Sequence, residues 1–167
     1  MKRLGLCAAL ALCAASCGGG LSGSVGQFFA LDYSRLEILR DADAFQVTYY
    51  QDTPTEIDVV VRLTVVTTGY DFTPGHTFDL AGEYAPGHPR AVVTHAAGGE
   101  PARTLPALLH GTLTLDSGGK PGERTQGSFN LSFENEGGDF GNGSTVSGDF
   151  DAVVVNATLP GSNPSGS

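Results

Sequence analysis

The body of this chain lacks cysteine. All three cysteines of the 167-residue sequence lie within its first 17 residues. Residues 18–167 therefore form no disulfide, carry no thiolate nucleophile and offer no cysteine ligand for zinc. Tryptophan is absent from the whole chain. Stability must come from a hydrophobic core, and an apolar fraction of 40% is enough to build one in a single domain of about 150 residues.

Positive charge is also scarce. The chain has 9 basic residues against 18 acidic ones, a formal net charge of −9. Without Lys2 and Arg3, 7 basic residues remain, and the net charge of the rest is −11. This balance argues against nucleic-acid binding, because such binding relies on Lys and Arg neutralising phosphates. It also argues against charge-driven binding to anionic headgroups.

Long apolar runs are absent after the first 15 residues. The stretch from Leu4 to Ala15 is apolar, but as a helix it would extend only about 18 Å, short of a hydrocarbon core about 30 Å thick. Lys2 and Arg3 precede it, and small residues follow it. This arrangement is typical of a signal peptide, which we predict over residues 1–16.

Cys17 follows Ala14-Ala15-Ser16, a sequence that resembles the lipobox of bacterial lipoproteins. The resemblance implies a diacylglycerol on the Cys17 thiol, cleavage before it and attachment to a lipid bilayer. Ala14 departs from the pattern, which usually has Leu there, and ordinary cleavage near Ala15 without a lipid is the alternative. Gly18 directly after the cysteine, with no Asp, resembles lipoproteins sorted to the outer membrane of the bacterial envelope. Residues 17–24 then read as the lipidated cysteine and a flexible Gly/Ser tether.

The remaining sequence alternates between apolar and polar residues, the pattern of half-buried strands. In one such segment Leu109, Gly111, Leu113 and Leu115 share a face. Clusters of Gly, Pro, Asn and Asp separate the segments, as expected of turns. We predict an all-β domain over residues 25–157, an antiparallel β-sandwich or flattened barrel of about seven strands. The predicted strands lie near 28–39, 45–51, 57–68, 90–96, 107–116, 127–134 and 145–156. Residues 158–167 are predicted to be a disordered tail.

The C-terminal half contains two short segments of similar sequence. Residues 127–131 and 147–152 each bring a Gly, a polar residue and a Phe into an alternating strand, and they read as the last hairpin. Together with 109–116 and the leader, these segments resemble small, uncharacterised envelope lipoproteins of myxobacterial-type soil bacteria. That resemblance implies no activity.

A calcium site is one candidate for chemistry. Four oxygen-bearing side chains lie among glycines in the segment 134–143, and Ca²⁺ prefers six to eight oxygen ligands. They are Glu134, Glu136, Asp139 and Asn142. The spacing is not that of an EF-hand, and a solvated hairpin loop explains the same residues.

A histidine-based metal site is the second candidate. A Pro-Gly-His tripeptide occurs twice, with an acidic residue between the copies and a further histidine after them. The four potential ligands, which suit zinc, are His76, Glu83, His88 and His95. No helical zinc-binding spacing is present, and histidines beside Pro-Gly are also common in exposed turns.

Motifs for nucleophilic catalysis are missing, including Gly-x-Ser-x-Gly. We therefore predict that the protein is not an enzyme and has no cofactor beyond the lipid. Its expected role is that of a membrane-anchored envelope lipoprotein with a non-catalytic structural, binding or surface-contact domain, whose partner is a protein or a glycan. The alternative is a calcium- or zinc-dependent binding module or hydrolase.

Overall fold

A computed structural model describes residues 20–135 and 143–159. Within these ranges there is one short 3₁₀ helix, Ser24–Gln27. The strands are β1 (Arg35–Arg40), β2 (Ala44–Asp52), β3 (Ile57–Val66), β4 (His76–Asp79), β5 (Glu83–Ala85), β6 (His88–Pro89), β7 (Ala91–Ala96), β8 (Arg103–Thr104), β9 (Leu108–Ser117), β10 (Arg124–Phe133) and β11 (Thr145–Asn156). The prediction of an all-β fold is confirmed.

Nine of these strands form one curled sheet, in the order β4-β9-β10-β11-β1-β2-β3-β7-β8, and β5 and β6 form a small separate sheet. All neighbours are antiparallel except β1 and β11, which run parallel with Ile38 opposite Val154. The large sheet thus has more strands than the seven predicted, and one of its pairings is parallel. Strands β4, β5, β6 and β8 were not predicted because each has four residues or fewer, too short for alternation to be visible.

The two halves of the curled sheet face each other across one core. Buried side chains from β9, β10 and β11 belong to the same cluster as those from β1, β2, β3 and β7. Aromatic rings join the halves, with the Phe45 and Phe150 centroids 6.0 Å apart and those of Tyr49 and Phe129 6.1 Å apart. The arrangement is sandwich-like, because the inner faces of both halves are apolar.

The predicted hairpin at residues 127–152 is confirmed as β10 and β11. Gly127 pairs with Phe150, and Phe129 pairs with Gly148. Each ring lies where a side chain on the opposing glycine would be, since an added Cβ would come within 2.5 Å of Phe150 Cζ or 2.7 Å of Phe129 Cζ. This reciprocal packing explains the repeated Gly and Phe in the two segments.

The two halves of the curled sheet meet where β1 lies beside β11, and we call this junction the seam. Val154–Asn156 of β11 pair with β1, whereas Ser147, earlier in β11, pairs with Ser22. Ser22 exchanges two backbone hydrogen bonds with Ser147, at 2.9 and 2.8 Å. The Tyr49 hydroxyl donates to the Asp149 carbonyl at 2.8 Å. The seam is thus closed by backbone from the N-terminal segment and by a side chain of β2.

The N-terminal segment also covers one end of the core. Val25 is fully buried, and Leu21, Phe29, Leu31 and Tyr33 pack against the core cluster. The strand predicted from residue 28 begins only at Arg35, because residues 28–34 alternate in burial without pairing in a ladder. The tether predicted to be flexible through residue 24 is likewise joined to the sheet from Ser22 onward.

The predicted C-terminal tail begins with two residues that the structure describes, 158 and 159. Leu159 is buried, and its backbone N–H donates to Asp41 Oδ2 at 2.9 Å. This residue therefore belongs to the β-domain. The rest of the predicted tail, like residues 1–19, lies outside the described residues.

Candidate functional site

The four predicted zinc ligands occupy different parts of the fold. His76 begins β4, an edge strand of the large sheet, and Glu83 and His88 lie on the small β5–β6 sheet. His95 lies on β7, near the other edge of the large sheet. In the part of the chain that the structure describes, no three His, Cys, Asp or Glu side chains form a group able to hold a metal ion. The structure therefore does not bring these four residues together.

His95 has structural contacts instead. Its ring stacks on Phe29, with centroids 4.0 Å apart and planes inclined by 14°. Its Nδ1 lies 2.9 Å from the Val60 carbonyl oxygen, a geometry in which the protonated nitrogen donates. The residue thus connects the N-terminal segment to β3 and β7.

The predicted calcium loop is described only at its start. Glu134 is half-buried, and its backbone N–H donates to the Ala107 carbonyl at 2.8 Å. Glu136, Asp139 and Asn142 lie outside the described residues. Calcium binding by this loop stays a prediction.

A row of polar side chains on the outer face of the sheet was not predicted. Thr48 on β2 is directly opposite Arg62 on β3, and Arg62 is directly opposite Thr94 on β7. We call these three residues the hydroxyl–arginine row. They alternate with core residues such as Val47, Leu63 and Val93, so they lie on the face turned away from the core.

The hydroxyl–arginine row contains polar atoms without partners. The Thr48 and Thr94 hydroxyls and Arg62 Nε are all inaccessible to solvent, and none has a hydrogen-bond partner among the described residues. Thr48 as a whole is fully buried. Such groups are rare in folded proteins, because removing them from water without a partner costs about 1–3 kcal/mol each.

Arg62 also differs from the other arginines of the described chain. The guanidinium groups of the remaining five hydrogen-bond to carboxylates or backbone carbonyls. The pairs are Arg35–Asp52, Arg40–Gly119, Arg90–Thr68, Arg103–Glu100 and Arg124–Asp151. Arg62 is half-buried, and the accessible part of its guanidinium is suited to bind a carboxylate or another planar anion.

Two clefts lie at opposite ends of the β-domain. The first has a volume of about 310 Å³ and is lined by aromatic and aliphatic side chains with an ion pair of 3.0 Å at Arg103–Glu100. Its other main lining residues are Phe28, Phe29, His95 and Pro101. The second, of about 480 Å³, is lined by Phe72, Pro74, Lys120, Glu123 and Arg124.

Shifted pKa values in this domain have structural causes. The hydrogen bonds from Arg124 and Gln126 hold the pKa of Asp151 below its usual range. Burial raises the pKa of Tyr49 well above its usual range. Tyr49 closes the seam, and Asp151 forms an ion pair with Arg124 across β10 and β11, so neither group is arranged as a catalytic acid or base.

Comparison of this chain with protein-family models, curated protein sequences and solved structures gives no significant match. Across residues 20–135 and 143–159, no helix has the length and apolar character needed to cross a bilayer.

Proposed function

We propose that this chain is a lipid-anchored protein of the bacterial envelope, placed at the outer membrane, whose β-domain has a non-catalytic binding or surface-contact role. The observation that carries the proposal is the leader, in which Lys2 and Arg3 precede an apolar segment that ends at Ala15-Ser16-Cys17. The fold accords with it, because among the described residues the first one paired with the sheet is Ser22, five residues after Cys17.

Lipidation is tested in bacteria that process lipoproteins, using the full chain and metabolic labelling with an alkyne fatty acid. We expect label in the wild type and its complete loss in Cys17→Ser. Cys7→Ser and Cys13→Ser are matched controls, because they remove cysteines of the same leader and should keep the label. Mature protein that begins near Ser16 and carries no lipid would contradict the proposal.

The hydroxyl–arginine row supports a binding role over a purely structural one. Arg62 is half-buried, and an acidic ligand group could pair with the accessible part of its guanidinium. Because the protein is strongly acidic, Arg62 would be a local positive site on a negative surface. We propose a carboxylated glycan or an acidic side chain of a partner protein as the group that binds there.

Glucuronate is a suitable probe for this row. We expect a titration followed by backbone amide NMR to shift the signals of residues 48, 62 and 94 and to saturate. Arg62→Gln should abolish saturation, whereas Arg103→Gln, which removes an exposed arginine elsewhere, should not change it. Unsaturated or uniformly distributed shifts would remove the row as a binding site without affecting the lipidation proposal.

A further inference from the structure

The link between the lipidated cysteine and the folded domain is short. Ser22 is held to Ser147 by two backbone hydrogen bonds, and Cys17 precedes it by five residues. Even fully extended, five residues span only about 18 Å. A domain of about 140 residues has a radius of gyration of about 14 Å, so the tether cannot carry it far from the bilayer.

Strand register shows which end of the domain is held there. Ser22 pairs near the start of β11, whose Thr145 is opposite Ser132 of β10, and Ser132 is opposite His110 of β9. The end of β10 and the start of β9 therefore lie at this end.

The other half of the sheet has the same orientation. Because β1 is parallel to β11, the end of β2, the start of β3 and the end of β7 also point toward the start of β11. We call this set of strand termini, with Ser22 and Phe28, the anchor end.

Three large apolar side chains are exposed at the anchor end. Phe28 is 46% exposed, Ile57 59% and Leu109 49%, and they come from the N-terminal segment, β3 and β9. Phe28 lines the smaller cleft beside Ala96 and Ala97. Ile57 begins β3, and Val59 of β3 is opposite Ala96 of β7. The side chains of Phe28 and Ile57 therefore lie near the same end of β7.

Charges at the anchor end are partly neutralised. Arg35 pairs with Asp52 at 3.2 Å, and Arg103 pairs with Glu100 at 3.0 Å. The remaining acidic groups include Glu56 and Asp58, and no basic cluster is present at this end within the described residues. The surface therefore favours zwitterionic over anionic lipid headgroups.

We propose that the anchor end rests on the bilayer surface, with Phe28, Ile57 and Leu109 in the interfacial region and the opposite end of the domain facing outward. This inference depends on the proposed lipid at Cys17. Apolar side chains at the headgroup level add binding energy to a lipid anchor, because their apolar surface is removed from water there. The short tether brings these three side chains within reach of the membrane.

The absence of tryptophan makes the orientation directly measurable. Phe28→Trp, Ile57→Trp and Leu109→Trp each create the sole tryptophan of the lipidated full chain, as does the control Val155→Trp. Val155 is 51% exposed, comparable to Ile57, but lies about 26 Å along β11 from Ser147. Vesicles contain phosphatidylcholine with brominated acyl chains, which quench tryptophan at short range, and thermal melts verify that each variant folds.

We expect at least threefold stronger quenching at positions 28, 57 and 109 than at position 155. Equal quenching at all four positions, or none at the anchor end while the protein floats with the vesicles, would overturn the orientation and leave lipidation intact. Wild-type protein that fails to float with vesicles would overturn the proposed function itself. Flotation and quenching thus distinguish the two failures.

Discussion

Phe150 lies directly opposite Gly127 in the β10–β11 hairpin, and its ring fills the space above that glycine. Two residues further along, Phe129 covers Gly148 in the same way. A glycine in a strand weakens it by lacking a side chain to pack, and an aromatic ring on the neighbouring strand compensates for that loss. Each of the two strands thus supplies one glycine and the ring that covers the glycine of the other strand.

Alanine at either glycine should therefore destabilise the domain. A Cβ at position 127 would lie 2.2 Å from the Thr114 carbonyl oxygen, so Gly127→Ala requires displacement of backbone as well as of the ring. We expect Gly127→Ala and Gly148→Ala each to lower the free energy of unfolding by about 2–3 kcal/mol in urea melts. Gly82→Ala is the control, because nothing lies within 4 Å of its Cβ. Wild-type stability in Gly127→Ala would show that the ring is not packed there.

Tyr49→Phe removes the hydroxyl that bridges the seam. The ring stays buried, but the Asp149 carbonyl loses its donor, and we expect a cost of about 1–2 kcal/mol. Tyr50→Phe is a matched control on the opposite face, where the hydroxyl donates to Glu37 at 3.0 Å and is half-buried. It should cost less than Tyr49→Phe.

The same substitution should change the response to alkaline pH. Burial raises the pKa of Tyr49 in the folded protein, whereas in the unfolded chain it ionises near pH 10. Above about pH 10 the unfolded chain therefore releases a proton that the folded chain retains, and stability falls by up to about 1.4 kcal/mol per pH unit. Tyr49→Phe should show a shallower fall than the wild type. Parallel curves would show that Tyr49 ionises equally in both states.

Thr48→Val tests whether the hydroxyl of the hydroxyl–arginine row lacks a partner in the free protein. Valine has nearly the same shape and no group to desolvate, so we expect stabilisation of about 1 kcal/mol and a rise of about 3 °C in Tm. Thr64→Val serves as the comparison on the same face, because the Thr64 hydroxyl already donates to Gln46 at 3.4 Å. That variant should gain no stability. A loss of stability in Thr48→Val would reveal a partner for its hydroxyl.

Zinc should leave the melt of the full protein unchanged, because His76, Glu83, His88 and His95 lie in separate parts of the fold. A rise of several degrees that is lost in His95→Gln would contradict this expectation, since a ligand specific for the folded state raises stability by about 2.7 kcal/mol at a hundredfold excess over its Kd. Calcium in the same assay tests the loop at 134–143, with Asp139→Asn as the variant that should remove any shift.

Local alternation was sufficient to predict the long strands. Strands β2, β3, β9, β10 and β11 each have nine or more residues, and their core side chains, such as Val47 and Leu63, recur at every second position. Alternation failed at residues 28–33, because Phe29 and Leu31 pack on the core from a segment that forms no ladder. It also failed at Leu109, which was expected to face inward and is exposed, next to the register shift at Ser132–Phe133.

Surface sites were harder to predict than strands because they depend on register between distant segments. No local sequence pattern links Thr48, Arg62 and Thr94. The pairing of β2, β3 and β7 places them in one row. The parallel pairing of β1 with β11 depends in the same way on residues more than 100 positions apart. The histidines show the opposite case, in which residues close in sequence lie apart in the fold. The two Pro-Gly-His tripeptides are similar, but His76 lies on the large sheet and His88 on the small one.

The attachment of Ser22 to Ser147 also has a mechanical consequence. With Cys17 anchored as proposed, a pull between the membrane and anything bound to the domain would act on the packing of Leu21 and on the two hydrogen bonds of this pair, ahead of the strands of the large sheet. Detachment there would draw Val25 out of the core and open the seam beside Tyr49. Under the proposed lipidation, force applied at Cys17 therefore acts directly on the folded domain. Proteolytic cleavage just after Ser22 would release a domain that is already weakened.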